Sequence, residues 1–250
     1  MEKDEILLLR KYVSGSVYDL ENIAKRQICC VAPRMFNDPV DTYFYFSNAD
    51  CFKESKKILT PDIMDRIRIC CFINHKEVLL KRKGNKITAN ELLMWTHYAD
   101  SHKGICLEYQ VPRRDFEFIN RDKFDSTKRI LQKISYMPGL ATEFESFFSV
   151  SEDETYSADK FEDLLKTCFF TKDKSFEYES EMRLLEYADS KNRNTHIPVS
   201  FDYMTRIIFG ERCSADMKHL VKCINKQVYK NKINLKQINN HFQEEDCDYE

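Results

Sequence analysis

The chain has 250 residues, of which 42% are hydrophobic, 13% aromatic and 32% charged, with 39 basic residues against 41 acidic ones. This apolar fraction excludes an intrinsically disordered protein, and the formal net charge of -2 excludes an attraction of the whole chain to nucleic acid or anionic membrane. The five glycines are isolated, so the chain contains neither a GxGxxG dinucleotide fingerprint nor a GxxxxGK[ST] phosphate loop.

The first predicted elements form a strand, helix, strand unit. The run ILLLRKYV predicts a strand over residues 6–13. Either Ser14 or Ser16 can then cap a helix over residues 17–26. The run ICCVAP predicts a second strand, which Pro33 ends.

A loop and a basic segment follow this unit. The run RMFNDPVD predicts a loop, because Asn, Asp and Pro in sequence favour Asx turns, and residues 41–46 predict a short strand. Residues 53–86 carry ten Lys or Arg and four Asp or Glu, which fits either a phosphate-facing surface or a solvated face. Within this segment, residues 67–73 predict a strand.

The middle of the chain predicts a helix over residues 90–99 and a strand, GICLEYQV, that begins after Gly104 and stops at Pro112. A short strand is expected over residues 133–136. Residues 143–163 carry eight acidic side chains and one lysine, which predicts a solvated acidic insertion.

The C-terminal third predicts a helix, a loop and several more strands. Its predicted elements are a helix over 161–170, the polar loop KDKSFEYES, the strand EMRLLEY, a strand over 206–209, an amphipathic helix over 214–228, a strand over 233–238 and an acidic tail over 243–250. About seven or eight strands with irregularly inserted helices favour the α+β class, and we expect a single domain over 1–250.

The cysteines and the apolar runs indicate the cellular compartment of the protein. The pairs Cys29/Cys30 and Cys70/Cys71 lie inside apolar runs, and no CxxC spacing occurs among the ten cysteines, so we expect reduced, mostly buried thiols of a cytoplasmic protein. No apolar run is long enough to span a bilayer, and the start MEKDE is not typical of a secretory signal, so we expect no membrane partner.

Candidate ligand-binding residues lie beside aromatic anchors. In MWTHYADSHKGICLEY, Tyr98 offers a ring for stacking on a planar ligand and His97 a hydrogen-bond partner near it, although the same residues also fit a helix whose histidines are solvated. Asn37 and Asp38 of the FNDP run either form only a turn or contact a ligand.

Two carboxylates at the head of a predicted strand are candidate catalytic groups. Glu179 and Glu181 alternate in sequence, so we expect them to share one face of the strand. Two like charges on one face repel, and one of them is then readily held near a cationic or electron-poor ligand. The alternative is that both simply pair with Arg183 or nearby lysines.

Four motifs in order suggest a family. The runs FNDPVD, LMWTHYADSHKGICLEY, FFTKDKSFEYESEMR and IIFGERCS resemble a widespread bacterial domain of unknown function, whose members show FNDPFD, MWSHYAxxHKGFCLEF, WxYExEWR and IxFGxRxS. The resemblance runs from about residue 7 to residue 238. This resemblance implies membership of a family but does not imply an activity.

The order of elements is also similar to the ADP-ribosyltransferase fold, a split β-sheet with inserted helices that binds NAD without a glycine-rich loop. The resemblance implies that Arg10 or Tyr12 takes the NAD-binding position of the first strand, that Tyr98 stacks beside nicotinamide, and that Glu181 is catalytic with Glu179 two residues before it. The chain departs from that pattern, because no His-Gly pair opens the first strand and CCFIN stands where the pattern has Ser-Thr-Ser.

The expected function is therefore that of an ADP-ribosyltransferase-like protein that uses NAD to modify a protein or nucleic-acid acceptor. A toxin or anti-phage defence effector fits this expectation, with a neutralising or regulatory protein partner and no bound metal. The alternatives are a non-catalytic module of the same fold that senses a nucleotide or binds a protein, and a nuclease whose Asp38, Asp41 and Glu181 bind a divalent metal.

Overall fold

A computed structural model describes residues 5–36, 41, 61–116, 128–138, 168–187, 194–200 and 202–247. The strands in these ranges are β1 (Ile6–Val13), β2 (Gln27–Val31), β3 (Ile67–Asn74), β4 (Ile105–Pro112), β5 (Lys128–Lys133), β6 (Ser135–Met137), β7 (Thr171–Asp173), β8 (Glu181–Tyr187), β9 (Asn194–Pro198), β10 (Met204–Phe209), β11 (Asn234–Ile238) and β12 (Glu244–Asp246). The helices are α1 (Val17–Ala24), α2 (Pro61–Met64), α3 (His75–Leu79), α4 (Ala89–Tyr98), α5 (Arg113–Phe116) and α6 (Ala215–Val228), with 3₁₀ segments at Pro33–Met35 and Lys174–Glu179.

Ten of these strands form one sheet that is antiparallel throughout except where β10 and β11 run parallel. The order across it is β12-β11-β10-β4-β1-β3-β2-β9, and β8 joins β3 to β5. The short strands β6 and β7 form a separate parallel pair. A large mixed sheet with irregularly inserted helices confirms the predicted α+β class.

One edge of β3 is shared by two strands that diverge. At Ile73 and Asn74 this edge pairs with β1, and at Ile69 it pairs with β2, while the other edge pairs with β8 along its length. Between these points, no described strand pairs with residues 70–72 on the shared edge. The carbonyl of Cys71 accepts a 3.2 Å hydrogen bond from Nζ of Lys11 instead, so a side chain replaces the missing ladder partner.

The two faces of the sheet carry different parts of the core. On one face, α1 and α6 pack over a cluster that includes Leu9, Phe72 and Leu184. On the other face, α4 buries Trp95 completely, and its ring meets Tyr12 edge-on at 5.0 Å between centroids. Aromatic pairs prefer this edge-to-face geometry, so the contact anchors α4 over β1.

Helix starts follow the capping residues in the sequence. Ser16 and Asp19 form a capping box at α1, and Thr88 and Glu91 form one at α4, so each helix begins directly after its cap. At α6 the Ser214 side chain alone caps the helix, accepting a hydrogen bond from the backbone N–H of Met217. The predicted helices over 17–26, 90–99 and 214–228 are therefore confirmed to within two residues at each end.

The turn after α4 requires two glycines. Asp100, Ser101 and His102 are successive residues with positive φ, and the chain then enters β4 at Gly104. A Cβ atom on Gly104 would lie 2.2 Å from the carbonyl oxygen of Val13, and one on Gly210 would lie 2.1 Å from that of His102. No residue with a side chain fits at either point, so the HKG and IIFG runs serve close backbone packing.

Several sequence predictions need correction. The strand expected over residues 133–136 is two elements, β5 and β6, separated at Ile134. The KDKSFEYES run is β7 followed by a 3₁₀ segment rather than a loop, and residues 244–246 of the acidic tail add β12 to the sheet edge. These elements are too short to show a period, and their pairing partners stabilise them.

Other predictions lie outside the described residues. These are the acidic insertion over 143–163, most of the helix expected over 161–170, the strand expected over 41–46 apart from Asp41, and tail residues 248–250. No helix in the described part of the chain is long and apolar enough to cross a membrane.

Candidate functional site

A cavity of about 580 Å³, including its open mouth, lies where β1 leaves β3. Five side chains that the sequence singled out line it together: Arg10, Tyr12, Tyr98, Glu179 and Glu181. They come from β1, from the end of α4 and from the junction of the second 3₁₀ segment with β8. Because these polar side chains from separate parts of the chain converge on one cavity, it is the candidate functional site.

A buried lysine connects three carboxylates in the cavity wall. Nζ of Lys172 lies 2.8 Å from Oε2 of Glu179 and 3.5 Å from Oε2 of Glu181. It also lies 3.5 Å from Oδ2 of Asp41. Burial lowers the pKa of Lys172, but the three carboxylates outweigh it and raise the pKa above its ordinary value, so the ammonium stays charged.

Glu181 is a fixed, ionised carboxylate. Arg183 donates to it through Nε at 2.6 Å and through Nη2 at 3.1 Å. The backbone N–H of Glu181 donates to the hydroxyl oxygen of Tyr136 at 2.8 Å. Burial raises the pKa of Glu181, but Arg183 and Lys172 outweigh burial and lower the pKa to about 2.

Glu179 differs from Glu181 in the direction in which its surroundings shift its pKa. The Tyr98 hydroxyl donates a 2.6 Å hydrogen bond to Oε1 of Glu179, and Lys172 holds the other oxygen. Burial raises the pKa of Glu179 and outweighs the Lys172 ammonium, so this carboxyl takes up a proton more readily than an exposed glutamate. The cavity therefore holds two neighbouring carboxyls whose pKa values are driven apart.

The local backbone differs from the predicted strand alternation. Glu179 ends the 3₁₀ segment, Ser180 adopts a left-handed conformation with φ 46° and ψ 46°, and β8 begins only at Glu181. Both carboxylates reach the cavity because of this left-handed residue, so the prediction that they alternate along one strand was wrong. The backbone carbonyl of Ser180 accepts a 3.0 Å hydrogen bond from the N–H of Asn74, which holds the junction against β3.

Arg10 lies at the cavity but is fully paired with protein carboxylates. Nε and Nη2 donate to Oε2 of Glu108 at 2.9 and 2.8 Å. Nη1 lies 3.3 Å from Glu91 and 2.9 Å from Glu244, and Arg82 bridges the same two glutamates. Because this guanidinium is 1% exposed and paired with three carboxylates, its geometry favours a structural role over phosphate binding.

The other predicted site residues have different positions. His97 is exposed on α4 and does not line the cavity, because the helix turns it away from the face that carries Met94 and Tyr98. Asn37 and Asp38 lie outside the described residues.

Three residues of the site had no assigned role in the leading sequence hypothesis. Lys172 and Phe36 line the cavity, and the guanidinium of Arg183 lies 5.4 Å from the centroid of the Phe36 ring. Arg183 was considered only as a partner for the glutamates, and it has that role. Lys172 follows the apolar run CFFT directly, and this position next to a buried run is the signal in the sequence that indicates burial.

Two of the three carboxylates in the nuclease hypothesis are described, and the third, Asp38, lies outside the described residues. Asp41 and Glu181 both contact Lys172 and Arg183. Among the described residues, no group of three or more His, Cys, Asp or Glu side chains is arranged to hold a metal ion.

Comparison with known proteins is informative over one segment. Residues 94–184 match the model of a family described as a protein of unknown function, DUF2971. No curated protein and no solved structure matches the chain. The matched residues include the HYADSHKGICLEY and YESEMR runs, whereas FNDPVD and IIFGERCS lie outside them. The predicted family of unknown function is confirmed for the segment that carries Tyr98, Lys172, Glu179 and Glu181, which is similar to DUF2971.

Proposed function

We propose that this chain is an ADP-ribosyltransferase-like enzyme that binds NAD in the cavity and transfers ADP-ribose to a macromolecular acceptor. The observation that carries the proposal is the arrangement of Tyr98, Glu179 and Glu181 around one cavity, although Tyr98 and Glu179 are 81 residues apart in the sequence. The divergence of β1 and β2 from one edge of β3 also supports a split-sheet architecture.

The charges of the cavity suit the cleavage of a nicotinamide to ribose bond. As this bond breaks, its electron pair goes to the nicotinamide nitrogen and positive charge develops on the ribose. Glu181 is held ionised at a fixed position, so it stabilises that charge without reorganising. The aromatic ring of Tyr98 gives the planar, cationic nicotinamide a face to stack on.

The acceptor step requires a proton acceptor, and Glu179 suits this role. The nucleophilic oxygen or nitrogen of the acceptor forms the new bond to the ribose carbon, and its proton must leave. Because the pKa of Glu179 is raised above its ordinary value, this carboxylate accepts a proton more readily than Glu181 does. In this proposal Glu181 is the electrostatic stabiliser and Glu179 is the base.

The proposal is tested by incubating the full chain with labelled NAD, with and without cell lysate, and measuring nicotinamide release and transfer of label. We expect Glu181→Gln to lower the rate about a hundredfold or more, since it keeps the shape and removes the charge. Glu179→Gln should reduce transfer to the acceptor more than nicotinamide release. Glu177→Gln, in the same segment but exposed, is the matched control.

Two outcomes separate the proposal from its alternative. If the chain bound NAD but released no nicotinamide, with or without cell lysate as a source of acceptor, it would be a nucleotide-sensing module. Equal turnover by Glu181→Gln and the parent chain would show that the catalytic assignment is wrong.

A further inference from the structure

A histidine and a cysteine are in contact on the solvent side of α6. Nε2 of His219 lies 3.6 Å from Sγ of Cys223, four residues further along the helix. His219 is exposed, and Cys223 is half-buried with a free thiol. Because residues four apart lie on the same face of a helix, the two donor atoms meet at one place that solvent reaches.

The inner side of α6 holds this pair in a fixed position. Val221 and Asn225 are buried there. The side chain of Asn225 donates to the backbone carbonyl of Ile233 at 3.0 Å and accepts from the N–H of the same residue at 3.2 Å. These contacts anchor the helix, so a ligand of His219 and Cys223 finds both side chains on a rigid element.

The separation of the two donor atoms matches that of ligands that share one zinc ion. Zinc bonds are about 2.0 Å long to a histidine nitrogen and about 2.3 Å long to a thiolate sulfur. At a tetrahedral angle, these lengths place the nitrogen and the sulfur about 3.5 Å apart. The 3.6 Å between Nε2 of His219 and Sγ of Cys223 is therefore already the spacing that a bound zinc ion requires.

We propose that His219 and Cys223 form a solvent-facing zinc site, in which water fills the remaining coordination positions. Imidazole nitrogen and thiolate sulfur suit Zn²⁺, whereas Mg²⁺ and Ca²⁺ require oxygen ligands. On binding, the thiol of Cys223 releases its proton to solvent and its sulfur donates an electron pair to the metal, so no oxidant or reductant takes part.

The proposed site is small and separate from the cavity. Two protein ligands are fewer than the four of a structural zinc site, so the ion should exchange with solution. A pair of ligands also agrees with the finding that no group of three or more metal-binding side chains occurs in the described part of the chain. No residue of α6 lines the cavity, so the inference does not depend on the proposed function.

The test titrates the full chain with Zn²⁺ in competition with a coloured chelator, and with Co²⁺ as a spectroscopic substitute. Cys223→Ser and His219→Ala should each lower the zinc affinity at least tenfold, because each removes one of the two protein ligands. Cys223→Ser should also abolish the thiolate-to-metal charge-transfer absorption of the Co²⁺ complex. The matched control is His241→Ala, at another exposed histidine, which should leave affinity and absorption unchanged.

Thermal unfolding gives a second readout. An ion that binds the folded helix raises the Tm of the parent chain, and this rise should disappear in His219→Ala and Cys223→Ser. Both side chains lie on the solvent side of α6, so we expect the two variants to fold, and their Tm without zinc verifies this. Unchanged zinc affinity in both variants, or an equal rise in Tm for variants and parent, would overturn the proposal and leave the contact as a hydrogen bond.

Discussion

The hydroxyl of Tyr98 donates a 2.6 Å hydrogen bond to Oε1 of Glu179, across 81 residues of sequence. This bond joins the last residue of α4 to the last residue of the 3₁₀ segment before β8. It also brings an aromatic ring beside a carboxyl with a raised pKa. The arrangement places two parts of the segment similar to DUF2971 on one cavity.

Loss of this hydrogen bond should change the pH dependence of the proposed transferase reaction. The Tyr98 hydroxyl opposes the effect of burial on Glu179, so Tyr98→Phe should raise the pKa of Glu179 further. Because a base must be deprotonated to act, the acid limb of the kcat/KM profile for ADP-ribose transfer should move to higher pH. An acid limb that stays in place would show that Glu179 is not the base. Tyr98→Ala should in addition weaken NAD binding by removing the stacking face.

Removal of Arg10 should destabilise the fold strongly. Arg10→Met leaves Glu108, Glu91 and Glu244 buried with one fewer cation, and breaking a buried ion pair costs about 3–5 kcal/mol. Guanidinium denaturation of the parent and the variant measures this loss in the free energy of unfolding. As a comparison, Lys25→Met removes an exposed pair with Glu21 and should change stability by less than about 0.5 kcal/mol. Similar values for the two variants would contradict the central position of Arg10.

The close backbone contacts at the two glycines predict a second stability difference. Gly104→Ala or Gly210→Ala forces a Cβ atom to within 2.2 or 2.1 Å of a carbonyl oxygen, so β4 or β10 must shift. We expect each to cost about 3 kcal/mol or more. Gly84→Ala meets no atom within 4 Å and should cost only about 1 kcal/mol, because of its positive φ. The urea concentrations at the unfolding midpoints of the three variants rank their losses of stability.

Acid should weaken the stabilisation that Glu181 and Glu244 give to the folded chain. The pKa values of Glu181 and Glu244 fall from the ordinary 4.5 to about 2 in the folded chain, because neighbouring guanidinium groups outweigh burial. Above pH 4.5 both groups are ionised in folded and unfolded chains, and their stabilisation is complete. As the pH falls from 4.5 towards 2, the unfolded chain binds protons that the folded chain does not, so stability is lost.

Each of these glutamates contributes on the order of 3 kcal/mol by this linkage. Glu244→Gln should therefore be less stable than the parent at pH 7 and should lose less stability between pH 4.5 and 2.5. Urea denaturation at several pH values gives the free energy of unfolding as a function of pH for the variant and for the parent. If the free energy of unfolding changed with pH equally in the variant and the parent, the ion pairs of Glu244 with Arg10 and Arg82 would be contradicted.

Local signals in the sequence were sufficient for the longer elements. A capping serine predicted α1, apolar residues at helical spacing predicted α4 and α6, and runs rich in apolar residues predicted β1, β3 and β8. These patterns depend on neighbours within a few residues, so they can be read without the fold. The short elements β7 and β9 have no such pattern, because partners far along the chain stabilise them. The strand β12 pairs with nearby β11, but its three residues are too few to show a period.

The sequence by itself determined the α+β class, the family resemblance over residues 94–184 and the chemical types of the site residues, since each depends on residue identity and local order. Only the tertiary structure decided what those residues do. Pairing of β3 with β1 and β8 brings Tyr12 and Glu181 to one cavity. Arg10 is enclosed by carboxylates from β4, α4 and β12, of which β4 is the other neighbour of β1 in the sheet. Burial and charge act through space, so the separation of Glu179 and Glu181 into groups with raised and lowered pKa arises only after Lys172 and Arg183 have been placed beside them.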